Sequence, residues 1–422
     1  MVVPTAVEPD APDAPGGHRP AVAEALLEYI ARLRGGEVGS LPATLGLLVL
    51  VIVFTALRPS TFTNSFNFAN LINQGAAVIV IAMGLVFVLL LGEIDLSAGF
   101  AAGTSGAVMG LMINDHGWPW WAAIIACLAT GAVIGAFIGI LVARLGIPSF
   151  VVTLAMFLGL QGVLLVLIGE GGTIPVRDNV ILHIMNNNMP VWAGWALFAG
   201  SMGVYAFISL RRIAARRKSG LKAMGVSVWA AKFVVLAVLL GLATAYLSGE
   251  RSRNTRITSI KGVPDVIPVL LVLLVGLTFL LTRTAFGRHV YAVGGNAEAA
   301  RRAGINVARI RLLCFVAGSM LAAVAGILFA SRDNSISPST GGASTLLYAV
   351  GAAVIGGTSL FGGKGRVLDA IIGGLVVAVI ANGLGLLNWS SGRVFIVTGV
   401  VLLVAASVDA LSRRRAAATG RV

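Results

Sequence analysis

The sequence predicts an all-α polytopic membrane protein of about twelve transmembrane helices. Three observations carry that expectation. First, 57% of the 422 residues are apolar and only 11% are charged. A soluble domain carries about 25% charged residues, so a water-exposed surface cannot be built from this chain. Second, the mean hydropathy is +0.94. Third, the apolar residues come in uniform runs of about 20, the length that crosses about 30 Å of hydrocarbon at 1.5 Å per residue. A transmembrane β-barrel would need short segments of alternating polarity instead.

The expected spans are residues 41–57, 70–91, 98–113, 120–142, 149–168, 190–210, 231–248, 264–282, 312–330, 345–361, 367–387 and 394–411. The third and tenth are short and Gly-rich. Lys and Arg number 31 against 17 Asp and Glu, a net charge of +14. No basic groove or aromatic platform accompanies that excess, so no nucleic-acid partner is expected. The basic residues sort by side instead. With both termini in the cytoplasm, about three quarters of them fall on the cytoplasmic side. RRIAARRKSGLKAMG, residues 211–225, reads as a basic anchor on that side. The dissenting loop is GERSRNTRITSIKGV, residues 249–263, which puts four basic residues outside.

Residues 1–40 are expected to form a cytoplasmic tail ahead of a permease domain over 41–411 and a basic cytoplasmic tail over 412–422. Within the first tail, AVAEALLEYIARLR (21–34) puts Leu26, Leu27, Ile30 and Leu33 on one face of a short amphipathic helix. The leader contains acidic residues and lacks a small-residue cleavage site, so it is expected to be retained. Cys127 and Cys314 sit in or beside apolar runs and read as buried free thiols.

The segment 282–311 is the most informative loop. Asn296 is a good N-cap, and Glu298 lies in the first turn at the positive end of the helix dipole. Ala297, Ala299, Ala300 and Ala303 favour helix. Glu298 and Arg302 are spaced i,i+4, and Gly304 is placed to stop the helix. A second short helix from Asn306 should lead into the ninth span. A compact helix with small side chains thus protrudes between two spans, with Arg301, Arg302 and Arg309 able to pair with acidic groups; the alternative is an ordinary loop helix lying at the headgroups.

An internal repeat is visible. LGEIDLSAG (91–99) aligns without gaps to IGGTSLFGG (355–363), matching Gly92 with Gly356, Asp95 with Ser359 and Gly99 with Gly363. Gly-interrupted hydrophobic segments at matching places in two halves point to a transport pathway or its gate. For Asp95 two readings stay open: a cap on the third span aided by Ser97, or the holder of a broken-helix turn that gates the pathway. Polar residues inside spans are candidates for a substrate pathway: Asn73, Gln74, Gln161 and Asn382, with Thr153 and Tyr348. Bonding between helices accounts for them equally well.

Three blocks together carry a family likeness: FGRHVYAVGGNAEAARRAGINVARIRLLCFVAGSMLAAVAGIL from Phe286, GEIDLSAG at 92–99, and IGGTSLFGGKGR at 355–366. They resemble the ABC sugar-permease family that serves ribose, xylose, arabinose and galactose importers. The likeness covers roughly residues 40–411. Most members are shorter, with ten spans; the extra pair formed by spans six and seven is similar to the D-xylose permease branch. Glu93 departs from the family, which usually has Gly there, while a Gln is frequent near Asn73–Gln74. The resemblance implies a permease core like that of the vitamin-B12 importer with an extra helix pair, in a bacterial plasma (inner) membrane. It also implies a second permease copy, an extracytoplasmic sugar-binding protein and a cytoplasmic ATPase that grips the 282–311 loop. ATP-Mg would then sit on that partner, and this chain would bind no cofactor.

The chain has no Walker A motif of its own. In GGTSLFGGKGR, Thr358 stands where the first Gly is required and Gly365 where Ser or Thr belongs. The four histidines, His18, His116, His183 and His289, are scattered and form no metal-ligand pattern, and no Ser-His-Asp signature is present. The leading expectation is a permease subunit for D-xylose or a related pentose. A permease of the same scaffold for branched-chain amino acids or nucleosides is the alternative. An ion-coupled secondary transporter would need ionisable residues deep in its spans, and these spans carry almost none.

Overall fold

The computed structural model describes residues 39–418 except 222–223, 253 and 256–258. The amphipathic helix expected at 21–34 lies outside the described residues. Helices dominate: α1 (Leu41–Leu57), α2 (Pro59–Phe62), α3 (Ser65–Leu90), α4 (Ala98–Asn114), α5 (Trp120–Ala143), α6 (Ser149–Ile168), α7 (Asn179–Asn186), α8 (Val191–Lys218), α9 (Val226–Ser248), α10 (Val266–Arg283), α11 (Ala285–Gly295), α12 (Ala297–Arg302), α13 (Val307–Asp333), α14 (Ala343–Gly356), α15 (Val367–Leu386) and α16 (Ser391–Ala418). Two short strands, β1 (Ile174–Pro175) and β2 (Ser335–Ile336), pair antiparallel. A helix occupies each expected span, and 8 helices among the described residues are long and apolar enough to cross a membrane.

The centre of the bundle is α3, α13 and α15. α13 packs against α5, α3 and α4, while α15 packs against α14 and α3. Lipid tails are as apolar as leucine, so close backbone approach does the work that the hydrophobic effect does in water. The sequence supplies it on α5 with Gly131, Gly135 and Gly139, four residues apart on one face. A Cβ at these positions would lie 2.6 Å from Ser319 O, 2.5 Å from Phe315 O and 2.9 Å from Leu312 Cα. The backbones of α5 and α13 therefore touch.

The pair α8–α9 stands at the periphery. Trp229 Nε1 donates to Ser209 Oγ at 2.8 Å, and the Phe233 ring lies between Trp229 and Tyr205 at 5.3 and 6.4 Å. Tyr246 ties α9 to the chain before α3 by donating to Thr63 O, and its ring meets Phe68 edge-on at 6.0 Å. The described residues of the loop after α9 are tied into the fold. Arg251 is 7% exposed and donates to Asn188 Oδ1 and Gly262 O at 2.7 and 2.8 Å. Lys261 pairs with Glu250 at 3.7 Å. Hydrogen bonds from the Ser259 hydroxyl and from the Ser252, Ile260 and Arg251 amides hold the Glu250 carboxyl down at about 2. Two of that loop's cations thus serve its own structure.

Three expectations need correction. The helix expected to run to 361 in the tenth span stops at Gly356, because Gly357 turns left-handed with φ +117°. The chain ahead of it, 334–342, is a two-residue strand followed by a turn, with Thr340 N on Ser337 O at 2.9 Å and Gly342 N on Ser339 O at 3.0 Å, and it lies along α4, from Ile336 beside Gly106 to Gly341 beside Gly99. Non-helical backbone at such a place must be buried in protein, and Ile336 and Thr340 are 0% and 9% exposed. The separate short helix expected from Asn306 does not exist: Asn306 caps one continuous helix, α13, of 27 residues. Finally, α8 continues past 210 to Lys218, carrying the basic run RRIAARRK in its last two turns.

Candidate functional site

Four segments, two of them consecutive in the chain, gather at one end of the bundle. The first is the turn 91–97. Leu91 N and Glu93 N both donate to Val88 O, at 3.1 and 3.2 Å, which winds off the end of α3. Asp95 Oδ1 then accepts from Ser97 N at 2.8 Å and Ser97 Oγ at 2.6 Å. Burial pushes this carboxyl above the ordinary carboxylate range, against the pull of those Ser97 bonds. Ile94 N donates to Ser149 Oγ and Ile94 O accepts from Thr153 Oγ1, each at 3.2 Å, so the turn rests on the first turns of α6.

The second segment is the turn 357–366. Ser359 Oγ accepts from Phe361 N at 3.0 Å. Asp95 and Ser359, which the sequence repeat aligns, thus make the same local bond to the backbone amide two residues on. The two repeat blocks, 91–99 and 355–363, both end in glycine, but their neighbours differ: Gly99 abuts Gly341, whereas Gly363 N donates to Leu90 O at 2.9 Å.

The third and fourth segments are α11 and α12. Tyr291 Oη donates to Gly365 O at 2.8 Å, docking α11 on the second turn. Gly294 sits where α11 meets both turns: a Cβ there would lie 1.8 Å from Leu90 O and 2.9 Å from Gly363 N. Asn296 Oδ1 caps Ala299 N at 2.9 Å. Glu298 reaches Arg301 NH1 at 3.4 Å and Arg302 Nε at 3.5 Å. These side chains are 56%, 68% and 81% exposed, so each pair contributes about 0–1 kcal/mol and leaves the charges free for a partner surface. Gly304 takes φ +84°, and Ile305 N closes the turn on Ala300 O at 3.0 Å. Beside this turn a cleft of about 460 Å³ is lined by Ala143, Arg301, Gly304, Asn306 and Arg311 among others.

The sequence singled out the 91–99, 355–363 and 282–311 blocks separately; the structure brings Gly92, Gly362, Gly363 and the end of α11 at Gly294–Gly295 together. Gly356 lies at the foot of α14 against Asp369 O. The pathway candidates lie elsewhere. Asn382 and Asn67 exchange reciprocal amide bonds of 2.9 Å, and Asn382 also donates to Gln74 Oε1 at 3.2 Å. Asn73 Nδ2 donates to Met185 O at 3.1 Å. Gln161 sits apart on α6, which packs against α4 and α5. Three of the four thus bond between helices. Sequence reasoning passed over Tyr291, Gly294 and Arg311; the Gly294–Gly295 doublet facing the Gly362–Gly363 doublet was the signal available for the second of these.

The Asn67–Asn382 exchange sets up a stability test. Asn382→Leu leaves the buried Asn67 Oδ1 without its donor, while Asn67 Nδ2 keeps its bond to Phe62 O at 3.1 Å, and is expected to lower unfolding free energy by about 1–2 kcal/mol. The double variant Asn67→Leu/Asn382→Leu is expected to lose less than the sum of the singles, read by melting of the purified chain in detergent.

Comparison with known proteins names the family. The family model described as branched-chain amino acid transport system / permease component matches residues 67–406. The xylose transport system permease protein XylH of Escherichia coli (strain K12) is 35% identical over 373 residues, 87% of this chain and 91% of that protein. The corresponding xylose permease of Haemophilus influenzae is 33% identical over 88% of this chain and 96% of its own length. The ribose import permease protein RbsC of Escherichia coli (strain K12) is 31% identical over 86% of this chain and 92% of its own. No solved structure matches the chain. With its apolar helices and this likeness along most of its length, the chain is a multi-pass membrane protein that belongs to the ABC transporter permease family of the xylose and ribose permeases, transport subunits that are not themselves enzymes.

Proposed function

We propose that this chain is the membrane subunit of an ATP-driven importer of D-xylose or a related pentose. In this reading it has twelve spans around a core like that of the vitamin-B12 importer, and it lies in a bacterial inner membrane with both termini in the cytoplasm. It pairs with a second copy, receives sugar from an extracytoplasmic binding protein, and is driven by a cytoplasmic ATPase that holds ATP-Mg. The ATPase grips Asn296, Glu298, Arg301, Arg302 and Gly304. The turns at Gly92–Gly99 and Gly356–Gly363 gate the pathway.

The observation that carries the reading is the junction at Gly294. Its backbone lies against Leu90, at the head of one turn, and against Gly362 and Gly363 in the other. Packed backbone cannot deform continuously, so a displacement of α12 moves both turns at once. The xylose relatives favour a pentose over the branched-chain amino acids named by the family model. Asn73, Gln74 and Asn382 act in this reading by holding α3, α7 and α15 in place beside the pathway; Gln161 is the pathway candidate without such a bond.

The test is uptake into vesicles holding this chain, its ATPase and binding protein. ATP-driven accumulation of D-xylose in preference to ribose, leucine and adenosine is the expected result. Uptake driven by a proton or sodium gradient, with no ATPase associated, would overturn it.

A further inference from the structure

The turn 91–97 carries one charge that the family pattern does not explain, and the structure gives it a partner. Arg311 Nε lies 3.0 Å from Glu93 Oε1, with the two side chains 33% and 14% exposed. The Arg311 Nε atom is buried and makes no aligned hydrogen bond, so Glu93 is its counter-charge. We infer that the Glu93–Arg311 ion pair is a positioning contact that makes the 91–97 turn follow the head of α13, so that motion imposed on α12 reaches the pathway. The inference rests on the importer reading above.

The mechanics follow from what joins the two ends of the pair. Arg311 stands one turn inside α13. That helix is capped by Asn306 Oδ1 on Arg309 N at 2.9 Å. Just before it, Ile305 N and Gly304 N bond back to Ala300 O and Arg301 O, each at 3.0 Å. So α12, the left-handed turn at Gly304 and the head of α13 form one hydrogen-bonded unit. On the other side, Glu93 lies between Gly92, which abuts Phe361 O, and Ile94, which is bonded to α6. The abutment at Gly294 transmits a push, because atoms in contact resist compression. It gives little resistance to separation. An ion pair resists separation, and a half-buried one is screened less than an exposed one. The two contacts together let α12 drive the turn in both directions.

The test uses vesicles holding this chain, its ATPase and its sugar-loaded binding protein, with sugar uptake and ATP hydrolysis read from the same sample. The variants are Glu93→Gln, Arg311→Gln, the double, and the exchange Glu93→Arg/Arg311→Glu. Each single variant is expected to lower sugar moved per ATP by about fivefold or more, the size of a typical coupling between sites, with hydrolysis retained. The double should be no worse than either single, and the exchange should regain part of the ratio. Singles with the wild-type ratio overturn the inference, as does a double whose loss is the product of the singles. A fall in uptake, hydrolysis and melting temperature together would mark a structural role and also overturn it. A wild-type assembly without ATP-driven uptake removes the importer reading itself, and this inference with it.

Discussion

Gly294→Ala is expected to abolish ATP-driven uptake while the neighbouring substitution Gly295→Ala leaves it within about twofold. The two glycines are adjacent at the end of α11, yet their surroundings are opposite. A methyl on Gly294 would meet Leu90 O at 1.8 Å and both Leu90 C and Gly363 N at 2.9 Å, whereas a methyl on Gly295 meets nothing within 4 Å. The obstructing atoms are backbone, so no side chain can swing away; α11 must lift off both turns. In doing so it strains the Tyr291–Gly365 bond and the Gly363–Leu90 bond that dock the turn. Overpacking of this kind costs about 1–3 kcal/mol in stability, which a bundle of this size survives. The functional loss should therefore exceed the stability loss. Uptake measured alongside melting of the same preparations checks it, and a Gly294→Ala chain as active as the wild type would exclude Gly294 as the junction.

Gly341→Ala is expected to have the largest effect on stability. Its φ of +72° lies in the left-handed region, where a non-glycine residue costs about 1–2 kcal/mol. The added methyl would also lie 2.0 Å from Gly99 O and 3.1 Å from Gly103 N, both backbone of α4. The strain and the overpacking together place the loss at about 2–5 kcal/mol. The control is Gly159→Ala on α6, mid-helix with nothing within 4 Å of the new methyl. It should gain about 0.4–1 kcal/mol by restricting the unfolded chain. Thermal melting of the two variants in the same detergent should move in opposite directions. Equal melting temperatures would mean that the 334–342 segment does not seat on α4 as closely as described.

What was legible in the sequence was whatever a residue decides with its near neighbours. Asn296 as a cap, Glu298 within reach of Arg302, and Gly304 as a stop all depend on atoms a few positions away, and each is found where the pattern put it. The span positions were readable because hydropathy is summed along a helix. The repeat of 91–99 in 355–363 was readable as letters, and its aligned Asp95 and Ser359 prove to make the same two-residue turn. Local rules also misled. Gly-rich apolar runs look like continuous helix, so the end at Gly356 was not foreseen, and 334–342, which lay between two expected spans, gave no sign that it would pack along α4. Whether such a run stays helical depends on a neighbouring helix offering a glycine face, as α4 does with Gly99, Gly103 and Gly106.

By itself, the sequence determined the all-helical membrane class, the helix starts and stops around 296–304, and the family likeness. Lipid solvation and capping act on short stretches of chain, so composition and spacing are enough to decide them. Only the tertiary structure decided that Gly92, Gly294 and Gly363 form one junction, that Glu93 answers Arg311, and that Asn67 and Asn382 satisfy each other across the bundle. Those partners belong to helices remote in the chain. Their meeting is set by the packing of α3 against α13 and α15, and a residue's own neighbourhood in sequence carries no record of which helix will lie beside it.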